Sequence, residues 1–263
     1  MRAWLAPIVL TMLLSAAPLT AERVKDIARF AGVRANALTG YGIVVGLTGS
    51  GDQNLELTIQ SLKSAANRLG VQLPPGVNPQ LRNAAAVMVT AELPAFAKPG
   101  QRLDVTVAAL GQAKSLRGGT LLLTALQGPD GEIYALAQGS LAVGGFGAEG
   151  RDGSRIVAGT PTSGRVPAGA IVERIVPSPF AEKGPMYLDL NEPDFSAASA
   201  VVAAINRQYN GIVAQAEDGV RVRLNAPDQP ERRIALAAQV EALDVVLAPP
   251  PAKVIVNART GTV

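Results

Sequence analysis

A chain of 263 residues that is 48% hydrophobic but only 4% aromatic can form one large domain or two modest ones, with cores of Val, Leu, Ile and Ala. It has neither cysteine nor histidine, which excludes disulfides, thiolate nucleophiles, Ser-His-Asp triads and ordinary zinc sites and leaves carboxylates, lysines and backbone amides for any chemistry. The net charge is only +3, yet between Leu57 and Gln127 lie Lys63, Arg68, Arg82, Lys98, Arg102, Lys114 and Arg117 against Glu92 and Asp104, a local excess that suits an acidic partner.

The first residues read as a targeting signal. Met1-Arg2 is a short positive start, Leu5 to Leu14 is apolar, and Leu19-Thr20-Ala21 ends a small-residue stretch, so cleavage is expected after Ala21 and the mature chain at Glu22. The apolar run falls short of the ~20 residues a spanning helix needs. Gly40 to Leu47 then reads as a buried strand, followed by a glycine-rich turn to Asp52. Leu55, Ile59, Leu62, Ala66 and Leu69 recur at helical spacing before Gly70. Strands are predicted over Ala84 to Leu93, Arg102 to Leu110, Thr120 to Gln127 and Glu132 to Val143, with Gly128-Pro129-Asp130-Gly131 as a hairpin turn between the last two. Gly144 to Gly164 has almost no apolar pattern and is expected to be a long loop or boundary.

The second half has its own rhythm. Strands are predicted over Ala170 to Val176 and Met186 to Leu190, and Asp194 is placed to cap a helix whose Phe195, Ala198, Val202, Ile205 and Tyr209 share a face before Asn210-Gly211. Ile212 to Ala216 and Val220 to Leu224 flank a turn at Glu217-Asp218-Gly219. Pro230 opens a helix to Val240, and Leu243 to Leu247 is a further strand. The order β-α-β-β-α-β is that of a split βαβ unit. A last strand, Lys253 to Asn257, precedes what reads as an incomplete hairpin ending at Val263.

Glycines at 40, 42, 46, 49 and 51 stand between a strand and a helix, the context of a phosphate-binding loop, but no GxGxxG is in register and no Lys-Ser or Lys-Thr follows. A tight turn is the better reading. Asp52 is expected to cap the next helix, Glu217 and Asp218 to be a solvated turn tip, and Glu192 and Asp194 to serve a helix start. No local carboxylate pair is placed for acid–base work, and no lysine has a serine three residues before it. The loop Lys114-Ser115-Leu116-Arg117-Gly118-Gly119 joins two predicted strands, so its charges should be exposed. Nucleic acid is not expected, because no aromatics interleave with these charges.

The runs GVRANALTGYGIVVGLTGSGDQ (32–53), LRNAAAVMVTAELPAFAKPGQRLDV (81–105), AKSLRGGTLLLTALQGPDGEIYALAQGSLAVGG (113–145), GAIVER (169–174) and VIVNARTGTV (254–263) together resemble the flagellar P-ring protein family. The resemblance implies a non-enzymatic, periplasmic structural subunit without cofactors that assembles with copies of itself into a ring around the distal rod of the flagellar basal body, beneath the outer-membrane L-ring protein. It would act as part of a bushing in which the rod turns. On that reading Arg82, Lys114 and Arg117 are expected to face the rod. The alternative is a periplasmic peptidoglycan- or glycan-binding module, with peptidoglycan as partner, and a hydrolase would need a carboxylate pair assembled from distant segments. The family also implies a further C-terminal region with a cysteine pair, absent here, so the chain reads as a C-terminally truncated member. The expected fold is α+β: a signal peptide over 1–21, a β-rich N-terminal domain with one long helix and basic loops over 22–150, and a split β-α-β-β-α-β ring-building domain over 151–263.

Overall fold

A computed structural model describes residues 21–52, 59–60, 63–64, 67, 82–144, 146–149 and 155–247. The chain is α+β and β-rich, in two compact units: residues 32–178 form one, and the described residues of 21–31 and 179–247 form the other.

The first unit is a closed six-stranded antiparallel barrel. Its strands are β3 (Asn36–Val45), β4 (Ala84–Leu93), β5 (Arg102–Ala109), β6 (Thr120–Gln127), β7 (Ile133–Ser140) and β10 (Ser163–Val172), in the order β10-β5-β4-β3-β6-β7. Strict alternation in β5 sends Leu103, Val105 and Val107 inward and Arg102, Asp104 and Thr106 outward. Leu38, Val44, Val87, Val89, Leu121, Leu126, Ala135, Ala137, Val166, Ala170 and Val172 complete the interior. Each fully buried Leu or Val contributes roughly 1.5–3 kcal/mol relative to exposure, so a core without Trp or Phe still suffices. Small residues let the walls close: a Cβ on Gly42 would lie 2.5 Å from Thr124 Oγ1 on β6.

β4, β5 and β6 fall where the sequence predicts them to within a residue, and the hairpin turn is confirmed: Gly131 N–H donates to the Gly128 carbonyl, and the Tyr134 hydroxyl donates to Asp130 Oδ2 at 2.6 Å. That bond, first among the causes, holds the Asp130 carboxyl below the usual range and pushes the Tyr134 hydroxyl up.

The stretch expected to be a loop or boundary is neither. It contains a two-stranded hairpin of β8 (Phe146–Glu149) and β9 (Arg155–Ala158) and the first two residues of β10. β10 escaped the pattern because its inward positions begin with Gly164 and because a register shift between Val166 and Ala170 breaks the period. Ala168 in that bulge has φ +50°, and Asp104 clasps it, accepting from Ala168 N–H at 2.8 Å while pairing with Arg165 at 3.1 Å. A division at 150/151 would therefore cut β10 from its barrel. The long helix expected over 55–69 lies mostly outside the described residues. Of it, Ile59 is buried against Ile43, Ala84, Val45 and Leu122 on the barrel's outer surface.

In the second unit a four-stranded antiparallel sheet has the order β12-β13-β11-β2, built from β2 (Ala28–Phe30), β11 (Met186–Leu190), β12 (Ala214–Ala216) and β13 (Arg221–Leu224). The helices α2 (Phe195–Tyr209) and α3 (Pro230–Glu241) bury Ala197, Ala198, Val201 and Ile205, and Leu236, Ala237 and Val240 respectively. The expected β-α-β-β-α-β order is present, but the sheet is completed differently. The place beside β11 belongs to β2, whereas the last strand, β14 (Asp244–Val246), pairs with β1 (Ala21–Arg23), which leads through the single turn α1 (Val24–Ile27) into β2. The strand and hairpin expected beyond residue 247 lie outside the described residues.

Asp194 caps α2 as expected: its Oδ1 accepts from the N–H groups of Ser196 and Ala197 and from the Ser196 hydroxyl, while Asn210 ends the helix in the left-handed conformation at φ 49°. The Ser196 hydroxyl first, then the two amides, hold the Asp194 carboxyl below its ordinary pKa. A depressed folded pKa contributes stability above the unfolded carboxylate range and loses it as pH falls through the folded value. Asp194→Asn, which keeps an acceptor oxygen, should therefore fold normally at pH 7 and show a shallower loss of thermal stability on acidification than the parent.

The buried Arg233 of α3 has no counterpart in the sequence reading. Its Nε donates to the Phe180 carbonyl at 3.1 Å and its Nη1 to the carbonyls of Gly184 (2.7 Å) and Pro227 (3.3 Å). It thereby binds the 3-10 turn Pro179–Ala181, whose Phe180 ring meets Phe30 edge-on at 5.7 Å. Arg233→Ala strands these carbonyls and should lower unfolding free energy by on the order of 3 kcal/mol in a denaturant titration.

Candidate functional site

Barrel topology gathers the loops after β3, before β4, between β5 and β6, after β7 and before β10 at one end, and the three basic residues singled out in the sequence are all there. Arg82 lies two residues before β4, and Lys114 and Arg117 lie in the β5–β6 loop. All three are exposed.

The β5–β6 loop is fixed by alternation. Ala113 and Leu116 turn into the end of the core, with Leu116 fully buried, so Lys114 and Arg117 turn out. The Leu116 N–H donates to the Pro161 carbonyl at 2.9 Å.

The glycine-rich turn joins this loop to the start of β4. On one side Gly51 N–H donates to the Arg82 carbonyl (2.7 Å), Leu47 N–H to the Asn83 carbonyl (3.0 Å), and Gly49 N–H to Asn83 Oδ1 (3.0 Å). On the other, Lys114 N–H donates to the Ser50 carbonyl and the Ser50 hydroxyl to the Ser115 carbonyl, both at 2.8 Å. The backbones of Arg82 and Lys114 are thus held by one short segment, and the Arg117 N–H donates to Ser115 Oγ at 3.2 Å within the same loop. The Leu47, Gly49, Gly51 and Asp52 amides are engaged within the protein, which favours the tight turn over a phosphate loop.

Asp52 ends the segment fully buried. Its N–H donates to the Ala84 carbonyl and its Oδ2 accepts from Ala86 N–H, both at 2.8 Å. The helix it was expected to cap begins outside the described residues. A Cβ on Gly111 would lie 2.4 Å from Asp52 Oδ1, so glycine at 111 is what lets the β5–β6 loop close over the carboxylate.

The other acidic residues behave as turn and cap groups. Asp218 Oδ1 accepts from the N–H groups of Val220 and Arg221, both at 2.7 Å, and these bonds lower its pKa, the Arg221 amide first. Glu92 and Asp104 line a shallow hollow with Thr90, Thr106 and Arg165 on the barrel's outer wall. Asp104 is already engaged by Arg165 and by the Ala168 amide, so the hollow does not offer two free carboxylates for acid–base work. Among the described residues no cluster of three acidic groups is placed to hold a metal ion. The arrangement at the barrel end can bind an anionic surface through exposed, screened charges. Asn83 and Ser50 were missed from the sequence because their partners are distant in the chain.

Gly111→Ala should lower stability by roughly 1–3 kcal/mol, as expected of an overpacked core, and should perturb amide NMR shifts at Arg82 and Lys114. Gly144→Ala, with nothing within 4 Å of the added carbon, should leave both unchanged.

Comparison with known proteins gives a consistent result. Residues 23–263 match the flagellar P-ring protein family. The flagellar P-ring protein of Rhizorhabdus wittichii is 56% identical over 243 residues, which cover 92% of this chain and 66% of that protein. That of Nitrosococcus oceani is 52% identical over 257 residues, covering 97% and 70%, and flagellar P-ring protein 1 of Cereibacter sphaeroides is 53% identical over 258 residues, covering 98% and 69%. The chain spans about two thirds of the length of these relatives.

Proposed function

The chain belongs to the flagellar P-ring protein family, and we propose that it assembles with further copies of itself around the distal rod, the barrel end bearing Arg82, Lys114 and Arg117 turned toward the rod surface. The family is structural rather than enzymatic, and its place is the P-ring of the periplasmic basal body. Export with removal of residues 1–21 would begin the mature chain at Glu22, which pairs with Val245 between β1 and β14. The outer-membrane L-ring protein is the neighbour proposed above the ring.

The observation that carries the rod-facing assignment is the display of the three basic residues on loops held together by one hydrogen-bonded segment. A bearing needs attraction without grip. Exposed cations on short loops offer long-range attraction that salt screens within about 10 Å at 0.1 M, and exposed ion pairs are individually worth only about 0–1 kcal/mol. Such contacts guide assembly and average out as the rod turns.

The test is to express the chain in cells lacking their own P-ring protein and to image isolated basal bodies. Rings should stand at the P-ring position with the parent chain, and Lys114→Glu/Arg117→Glu should reduce their number several-fold while the protein remains exported and folded. Normal ring numbers in the variant would overturn the rod-facing assignment. Bare rods beside a stable, exported parent chain would overturn ring building by this chain.

A further inference from the structure

We propose that the open face of the four-stranded sheet is where a second copy of the chain docks, inserting its Phe195 and the acidic turn beside it. The proposal rests on the ring-subunit reading and names the surfaces through which neighbouring subunits meet.

Helices cover one face of this sheet, and the other carries Arg29 on β2, Tyr187 and Asp189 on β11, Gln215 on β12, and Arg221 and Arg223 on β13. The register sets Asp189 opposite both Arg29 and Arg221, and Arg223 opposite both Tyr187 and Gln215. Arg221 is held in place: its Nε and Nη2 reach the two Asp189 oxygens at 2.7 and 3.0 Å, and its guanidinium lies 5.3 Å from the centre of the Tyr187 ring. The Nε of Arg29 is tied to Asn191 Oδ1 at 3.2 Å. The exposed face thus carries three guanidinium groups against one carboxylate, with Arg221 held by Asp189 and Arg29 by Asn191. Planar, pre-organised guanidinium groups suit carboxylates presented by a protein.

The same unit carries the complementary surface. Phe195, the first residue of α2, is 81% exposed, with its ring edge set against the β12–β13 turn where a Cβ on Gly219 would lie 3.1 Å from Cε1. Asp194 N–H donates to the Gly219 carbonyl at 2.8 Å, fixing the helix start to that turn. Glu192, Asp194, Glu217 and Asp218 therefore surround the exposed ring with negative charge. An aromatic anchor with a charged rim is the usual composition of an interface centre.

The two surfaces differ, and each repels its own kind. Arginine face against arginine face is disfavoured, as is acidic turn against acidic turn, while face-to-turn contact is favoured. A heterologous contact of that kind repeats from copy to copy and closes into a ring when its rotation allows.

Because the chain has no cysteine, Phe195→Cys and Arg223→Cys, both at exposed positions, can be co-expressed in cells lacking their own P-ring protein and treated with a short thiol–thiol cross-linker. A cross-linked dimer should form in the co-expressing cells and be at least several-fold weaker with either variant alone. As a second measurement, Arg223→Glu should lose ring yield and Glu217→Arg/Arg223→Glu should regain it. Rings without the dimer band, or equal bands from the single variants, would overturn the docking surface and leave ring building intact. A dimer band without rings would support the surface while overturning the ring-building reading.

Discussion

Closure of the barrel by β10 is the constraint on which the first unit depends. This strand pairs with β5 through residues 163–171 and with β7 through 170–172, so it hydrogen-bonds on both sides and leaves no open edge in the barrel. An antiparallel barrel sends alternate connections to alternate ends. Closure thus decides which loops become neighbours, and the three basic residues meet because β4 starts where β3 and β5 finish. Leu47 and Leu116 then plug that end, turning the loops from flexible connections into a fixed rim. The charge pattern at the surface follows from which residues of the loop the core demands.

Much of this was legible in the residues. β5 alternates strictly and was found within a residue, α2 carries its cap and its stop, and Gly128 to Gly131 is turn chemistry of an unambiguous kind. Local physics decides those elements, so local sequence reports them. β10 was half lost because a bulge resets its alternation and a glycine and alanines stand where larger apolar residues would announce an interior. The strands β1 and β2 were not anticipated at all: three-residue strands have no period to read, and their reason for existing is a partner more than 150 residues away. Arg233 shows the same limit. An arginine in a helix beside Glu231 and Arg232 reads as solvated, and only the three carbonyls that converge on it make it a core residue.

The candidate site divides in the same way. That Lys114 and Arg117 would be exposed could be seen from their place between two strands, and the family resemblance marked them together with Arg82. Their common anchoring could not be seen, because it runs through Ser50, Gly51 and Asn83, residues with no distinctive signature. Asp52 is instructive. Sequence placed it at a helix start, and the structure adds a role for it in the barrel, accepting from β4 under a glycine whose only evident reason is the carboxylate beneath it.

β2, at residues 28–30, belongs to a sheet whose other strands begin at Met186. For a protein delivered through a membrane N-terminus first, that separation imposes a timetable. The barrel can fold as soon as Val172 has emerged, since all its pairings lie between Asn36 and that residue. β2 must wait, its edge uncovered, until β11 arrives. Contacts of such long sequence separation form slowly and leave unpaired strands open to wrong partners. An early strand that completes a late sheet makes assembly of the second unit a late event: the sheet cannot form until Leu224 has emerged, and the face that carries Arg29, Arg221 and Arg223 does not exist before then.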